Sequence, residues 1–466
     1  MNNIAAGLLS LCVAAGGQTQ PVIKTFNQDI RPLVGQLDKT PMFNSNSPEV
    51  VKTEGVLLST FANQNGSDFP VNLNYPMRGR FDIFTHHISN QINEPVPRTL
   101  YEGILLNNPT DKTVTVKILQ AASYLSQPDA PFVNLPNLTE NPDGTVYAGP
   151  GDRVAYNMIA GIHQSGWPKE IVLPPKTSKM LMNLPIPVKE LTPYLNGRST
   201  RIACDSDGPV FIANLALFAK SENSHNQVDK DSYASGQAER APTLEEWQQV
   251  LDSGRRAGPE EPKASCEKNH VIYGRIDGVQ LGSTWQSTLA GKDGVLEIAT
   301  PGSAIDFVIS SLIDATFGTG VDDSAKLAVA FAGTACEAHG NYGVEYKLTL
   351  PLYNPSKQNQ VVALSLQTPL KTNEARPYLQ FLLPEAAAKA QVYFRGNLRL
   401  EYEDENGKET IKFVHIVSCK GQMGEPFLTL TMKPQTRRTV KIDFIYPGDC
   451  TPPQVLTVST KDNNQI

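Results

Sequence analysis

Residues 101–118 read YEGILLNNPTDKTVTVKI. Val114, Val116 and Ile118 point one way along this stretch, and Thr113, Thr115 and Lys117 the other. That period of two marks a strand buried on one face. An apolar run precedes it, and Asn108-Pro109-Thr110 separates the two. Proline fixes φ, and the flanking Asn and Thr side chains can close a turn onto the backbone. The stretch is therefore strand, turn, strand. The same grammar returns at residues 346–366, YKLTLPLYNPSKQNQVVALSL, around Asn354-Pro355-Ser356. Here Val344, Tyr346, Leu348, Leu350 and Leu352 alternate with Glu345, Lys347 and Thr349.

Working outward, the echo extends in order. Asn354 follows Asn108 by 246 residues (354 − 108), and VYAGPGDRV matches VYFRGNLRL with Arg153 and Arg399 at the same spacing. PPKTSKMLMNLPIP resembles KPQTRRTVKIDFIYP, with Pro175 and Pro434 at a spacing of 259 (434 − 175). The extra 13 residues (259 − 246) fit a longer second hairpin, RLEYEDENGKETIKFVHIV, turning at Asn406-Gly407. Both series end on a Gly/Pro turn and a strand, DGPVFIANLALF and TPPQVLTVST; residues 208–219 are apolar on both faces, as in a central strand. The expected fold is all-β: two tandem related β-sandwich-like domains joined by a short linker helix.

The helix is predicted at Thr243-Leu244-Glu245-Glu246, a capping box followed by the apolar stripe Leu244, Trp247, Val250 and Leu251 and ended by Gly254. Trp247 is expected to dock it. The preceding SENSHNQVDKDSYASGQAER is polar enough for a mobile loop. The expected boundaries are a signal peptide over 1–20, a first half over 21–220, a linker over 221–264 and a second half over 265–466. GDRVAYNMIAGIHQSGWPKE reads as a long loop, either binding or connecting.

Composition narrows the function. The chain has 466 residues, 19% of them charged, with 34 Gly and 35 Pro, which suits short strands and turns. A net charge of −6 and a pI near 5.7, with no basic tract, argue against nucleic acid. The N-terminal IAAGLLSLCVAAGGQTQ has the apolar core and small-residue cleavage region of a secretory signal, without a basic start. No other segment is expected to span a membrane. Cys204, Cys266, Cys336, Cys419 and Cys450 would remain after export, with one or two disulfides or buried thiols equally in view.

No serine-hydrolase elbow, zinc-protease helix, phosphate loop or dinucleotide fingerprint occurs, and no cofactor is expected. Two groups of residues stand as candidates. His86 and His87 in GRFDIFTHHISN could share a metal with His339 in EAHGNYGVEY, helped by Asp82 or Glu337. On a strand, however, His86 and His87 face opposite sides, and histidines that only hold loops account for them as well. Trp167 in QSGWPKE and Trp285 in GSTWQST sit in turn-rich contexts, where an exposed ring could stack on a sugar, or the ring packs in the core or at its rim. His415 fits a packed strand residue.

FNSNSPEVVKTEGVLLSTF, GRFDIFTHHI, LQAASYLSQPDAPF, NPDGTVYAGPGDRV, LNGRSTRI, ERAPTLEEWQ and HGNYGVEYKLTLPLYNP together resemble a cyanobacterial family of exported proteins of unknown function, the DUF3370 type. The resemblance runs from about Arg31 to Thr460. It implies a periplasmic, cell-surface or secreted protein and supplies no activity or site residue. The leading expectation is a non-enzymatic envelope protein that binds or spaces a surface component, either polysaccharide, cell wall or another exported protein. The alternative is a hydrolase or metal-dependent enzyme acting on envelope polymers through His86, His87 and His339.

Overall fold

A computed structural model describes residues 22–24, 27–62, 71–221, 239–267 and 270–462. The expected signal peptide and most of the polar loop before the linker helix lie outside the described residues. The chain is mostly β and forms several sheets. No helix among the described residues is long and apolar enough to cross a membrane.

The largest sheet has 12 strands and is two limbs joined by one strand, Leu195–Phe218. Its first part, through Ser206, lies between Met77–Asn90 and Val114–Leu125. Its second part, from Phe211, lies between Gly55–Ser59 and Leu100–Asn107. The change of partners falls at Asp207-Gly208-Pro209. Proline removes a ladder donor, and a Cβ on Gly208 would meet Val114 Cγ2 at 2.5 Å. The Asp207 carboxylate accepts from Thr115 N at 2.8 Å, and Ser206 Oγ donates to the Gly208 carbonyl at 2.7 Å, which fixes the bend. The apolar run read as one central strand is thus the second limb of a longer one. The two limbs fill a shared core that includes Phe43, Phe81, Ile104, Leu106, Ile118, Ile202, Ile212 and Trp247.

An eight-stranded sheet and a five-stranded sheet fill the other large core. Leu348, Leu350, Leu398 and Ile442 of the first share it with Val362, Leu364, Leu456 and Val458 of the second. The long hairpin forms as Val392–Glu403 and Glu409–Cys419. Its turn is wider than a two-residue one. Gly407 alone takes a positive φ (78°), while the Asp404 carboxylate accepts from Asn406 N and Lys408 N.

The two Asn-Pro turns share the same set of asparagine bonds to backbone. Asn108 Nδ2 donates to the carbonyls of Lys112, Leu173 and Pro174; Asn354 Nδ2 donates to those of Gln358, Met432 and Lys433. The Thr110 and Ser356 hydroxyls occupy the same place within their turns. Lys176 and Gln435, at the 259 spacing, both hold positive φ (56° and 53°). The match at VYAGPGDRV fails. Residues 392–400 lie on a strand, whereas Pro150–Ile159 is a helix, α1, with Pro150 in its first turn. Proline at a helix start costs no hydrogen bond, and the loop expected over this stretch is therefore half helix.

Sequence order and sheet membership cross. Gln28–Pro32 pairs with Ala304–Ile309 and Gln36–Leu37 with Thr284–Thr288, while Pro41–Ser45 joins the 12-stranded sheet beside Met77–Asn90. Asp277–Leu281 pairs with Pro41–Ser45 from the opposite side, and Leu138–Glu140 with Glu409–Cys419.

The linker helix, α2 (Leu244–Asp252), carries the expected capping box, with Thr243 Oγ1 accepting from Glu246 N and Glu246 Oε2 accepting from Thr243 N. Trp247 is fully buried against Gly103, where a Cβ would come within 2.9 Å of the indole. Cys204, Cys419 and Cys450 are free and buried, and Cys336 is in a disulfide.

Candidate functional site

After α1 the chain returns along residues 160–169 to the edge strand Glu170–Leu173. Gln164 pins this return. Its backbone N donates to Ala121 O, its Oε1 accepts from Ser123 N at 2.8 Å, and its Nε2 donates to Ser123 O at 3.0 Å. The side chain amide acts as an extra strand partner. The same Oε1 accepts from Trp167 Nε1 at 3.0 Å and holds the indole, partly packed on the core, at the lining of a cleft. The cleft has a volume of about 320 Å³, and Leu181, Met182, Asn183 and Arg198 line it together with Trp167.

Arg198 is buried. Nη1 donates to Ser123 Oγ at 2.9 Å and Nη2 to Pro185 O at 2.6 Å, while Nε has no protein partner. Burial lowers its basicity, with Glu102 and Asp129 opposing that shift. Asn183 Nδ2 donates to Pro242 O, and its Oδ1 is likewise unpaired. Trp167, Asn183 and Arg198 thus line one concavity, while Asn183 Oδ1 and Arg198 Nε are buried without a protein partner.

Trp285 is placed differently. It is 7% exposed, donates Nε1 to Val34 O and stacks on Tyr346 in the core. Its ring offers no face to a ligand.

The three histidines do not come together. His86 Nδ1 pairs with Ser199 Oγ at 2.7 Å and its Nε2 lies 3.6 Å from Glu49. His87 faces the other way, between Pro48 O at 2.9 Å and Ser45 Oγ at 3.2 Å. Burial holds the His87 imidazole below its ordinary pKa, with Glu102 opposing. Both ring nitrogens of each are engaged within the fold, as strand alternation requires. Asp82 is also committed, to Arg80 and Arg201.

His339 instead joins Glu337 and Asp322, with ligand atoms of all three within 4.8 Å of one another. Asp322 and Ser324 lead into the strand Ala325–Ala330, and Glu337–Ala338 pairs with that strand, which brings His339 back beside them. Glu337 was legible as a neighbour of His339; Asp322 was not, because only the strand pairing brings it near.

The family comparison matches residues 28–460 to the model described as a protein of unknown function, DUF3370. No curated protein matches. Among solved structures, the 11S allergen from Cocos nucifera is 10% identical, with 88% of this chain and 90% of that chain covered and a TM-score of 0.10. Bacillus subtilis oxalate decarboxylase is 9% identical over 86% and 79%, with a TM-score of 0.09. The 11S globulin from Wrightia tinctoria is 10% identical over 93% and 85%, at 0.10. Likenesses this low carry no argument. The family match covers nearly the whole chain, and this protein belongs to the DUF3370 family.

Proposed function

We propose that the chain is a non-catalytic, exported envelope protein that binds a saccharide segment of a surface polymer in the cleft under Trp167. The observation that carries this reading is that Trp167, Asn183 and Arg198 together line one cavity of about 320 Å³. Pockets of about 300 Å³ and above accommodate small ligands, and sugars pair an apolar ring face with hydroxyls that both give and accept hydrogen bonds. The scaffold reading is a duplicated β unit, supported by the matched Asn108 and Asn354 turns. Periplasmic or surface location, and a cyanobacterial source, rest on the sequence resemblance and the signal-like start.

Retention of the full chain on isolated cell-wall, outer-membrane and exopolysaccharide fractions tests the proposal. Retention on at least one fraction, lost in Trp167→Ala and competed by soluble oligosaccharide from that fraction, is the expected result. Equal retention of Trp167→Ala, or none on any fraction, overturns it. An enzyme working through His86, His87 and His339 finds less support, since His86 and His87 spend their ring nitrogens on the fold.

A further inference from the structure

We propose that Asp322, Glu337 and His339 form a binding site for a divalent metal ion, separate from the Trp167 cleft. One ligand atom of each lies within 4.8 Å of the others, the spread a single ion can gather.

The hydrogen bonds around His339 prepare it as a ligand. Ser324 Oγ lies 2.5 Å from Asp322 Oδ1 and 2.8 Å from His339 Nδ1. An ionised carboxylate only accepts, so the single hydroxyl proton goes to Asp322. His339 Nδ1 must then be the donor to Ser324. That tautomer leaves the lone pair on Nε2, the form in which a neutral imidazole binds metal. Ser324 therefore orients one carboxylate and one imidazole together, as supporting residues do in metal centres.

The ring is also held from the side. Tyr273 packs against it edge-on, with centroids 4.9 Å apart, and is itself tied to Asp314 through its hydroxyl at 2.5 Å. The backbone carrying His339 is fixed in turn. Gly340 and Asn341 take positive φ (85° and 50°), and Asn341 Nδ2 donates to Asp323 O at 2.9 Å. The loop leading out of His339 is thus tied to the loop that bears Asp322.

One imidazole and two carboxylates make a nitrogen and oxygen set. It suits Zn²⁺, Mn²⁺ or Co²⁺ and lacks the thiolates that favour softer ions. Three protein ligands leave coordination positions for water. Glu337 and His339 are half-buried, which gives an ion access from solvent.

Titration of the metal-stripped full chain with Zn²⁺ by calorimetry, and with Mn²⁺ by the loss of its free-ion magnetic resonance signal, tests the site. About one equivalent should bind. Glu337→Gln, which keeps shape and removes charge, and His339→Ala should each abolish that equivalent. Ser324→Ala should weaken it by about 10–100-fold. Trp167→Ala should leave it unchanged, so failure here is distinct from failure of the saccharide reading. Absence of a stoichiometric equivalent in the parent chain, or its survival in Glu337→Gln, overturns the proposal. Should His339→Ala unfold, the half-buried Glu337→Gln variant still decides the matter.

Discussion

The Asp152 carboxylate and the His415 imidazole lie 2.7 Å apart, both fully buried, although 263 residues separate them. Asp152 stands in the first turn of α1, and His415 lies on the strand Glu409–Cys419. The same carboxylate accepts from Asn397 Nδ2 and Ala148 N, so it gathers three partners. Removing one member of such a set leaves the others desolvated and unpaired. Asp152→Ala should cost about 3–5 kcal/mol, and Asp152→Asn, which keeps the shape, should cost less. Urea unfolding followed by circular dichroism measures both.

The matched turns make a paired prediction. Asn108→Ala and Asn354→Ala each strip the donor from three carbonyls. Each should lower stability by about 2–3 kcal/mol, given the desolvation of groups left unpaired. The two losses should agree to within about 1 kcal/mol. A large disparity would show that the turns do different work despite their common geometry.

Trp247 and Gly103 form a lock between α2 and the strand Leu100–Asn107. Trp247→Ala should cost about 3–5 kcal/mol, the range for an emptied aromatic site. Gly103→Ala pushes a methyl to within 2.9 Å of the indole, and overpacking of this kind costs about 1–3 kcal/mol. Thermal melts of the two single variants and the double variant would show non-additive losses, because the added methyl has nothing to strike once the indole is gone.

The pH dependence follows from Asp306. Burial raises its carboxyl from an ordinary 3.8 to about 7, with the Thr457 hydroxyl opposing and Asp29 adding to the rise. The folded chain therefore holds a proton that the unfolded chain releases. That contribution to stability is complete below about pH 4 and is lost as pH rises through 7. Asp323, raised to about 6 chiefly by burial, acts in the same direction. Asp306→Asn should flatten the decline between pH 5 and 8 by on the order of 2–4 kcal/mol, read from denaturation midpoints across that interval.

What could be read along the chain was whatever local chemistry decides. The closing bonds within the Asn-Pro turns, the capping box at Thr243 and the alternation through Leu348 and Leu350 each depend on neighbours a few residues away. The helix at Pro150–Ile159 was missed because its glycines and polar residues suit a loop, and its buried face is set by Ala122, Tyr124 and Ala203 on distant strands. The candidate sites divide the same way. Strand alternation already set His86 against His87. The turn-rich context of Trp285 left an exposed ring and a packed one both open, and Tyr346 and Val34, from elsewhere in the chain, decide for packing. Asp322 and Arg198 had no local signature, since strand pairing and the packing of the two limbs place them.

The crossing of sequence order and sheet membership has a consequence in time. Gln28–Pro32 finds its neighbour only at Ala304–Ile309, and Pro41–Ser45 is flanked by Asp277–Leu281. At roughly 5–20 residues per second, the ribosome finishes those partners on the order of tens of seconds after the opening strands emerge. Throughout that interval the early strands lack their partners, and unpaired strand edges are a hazard for joining the wrong chain. The opening strands therefore stay without these partners until nearly two thirds of the chain has been made.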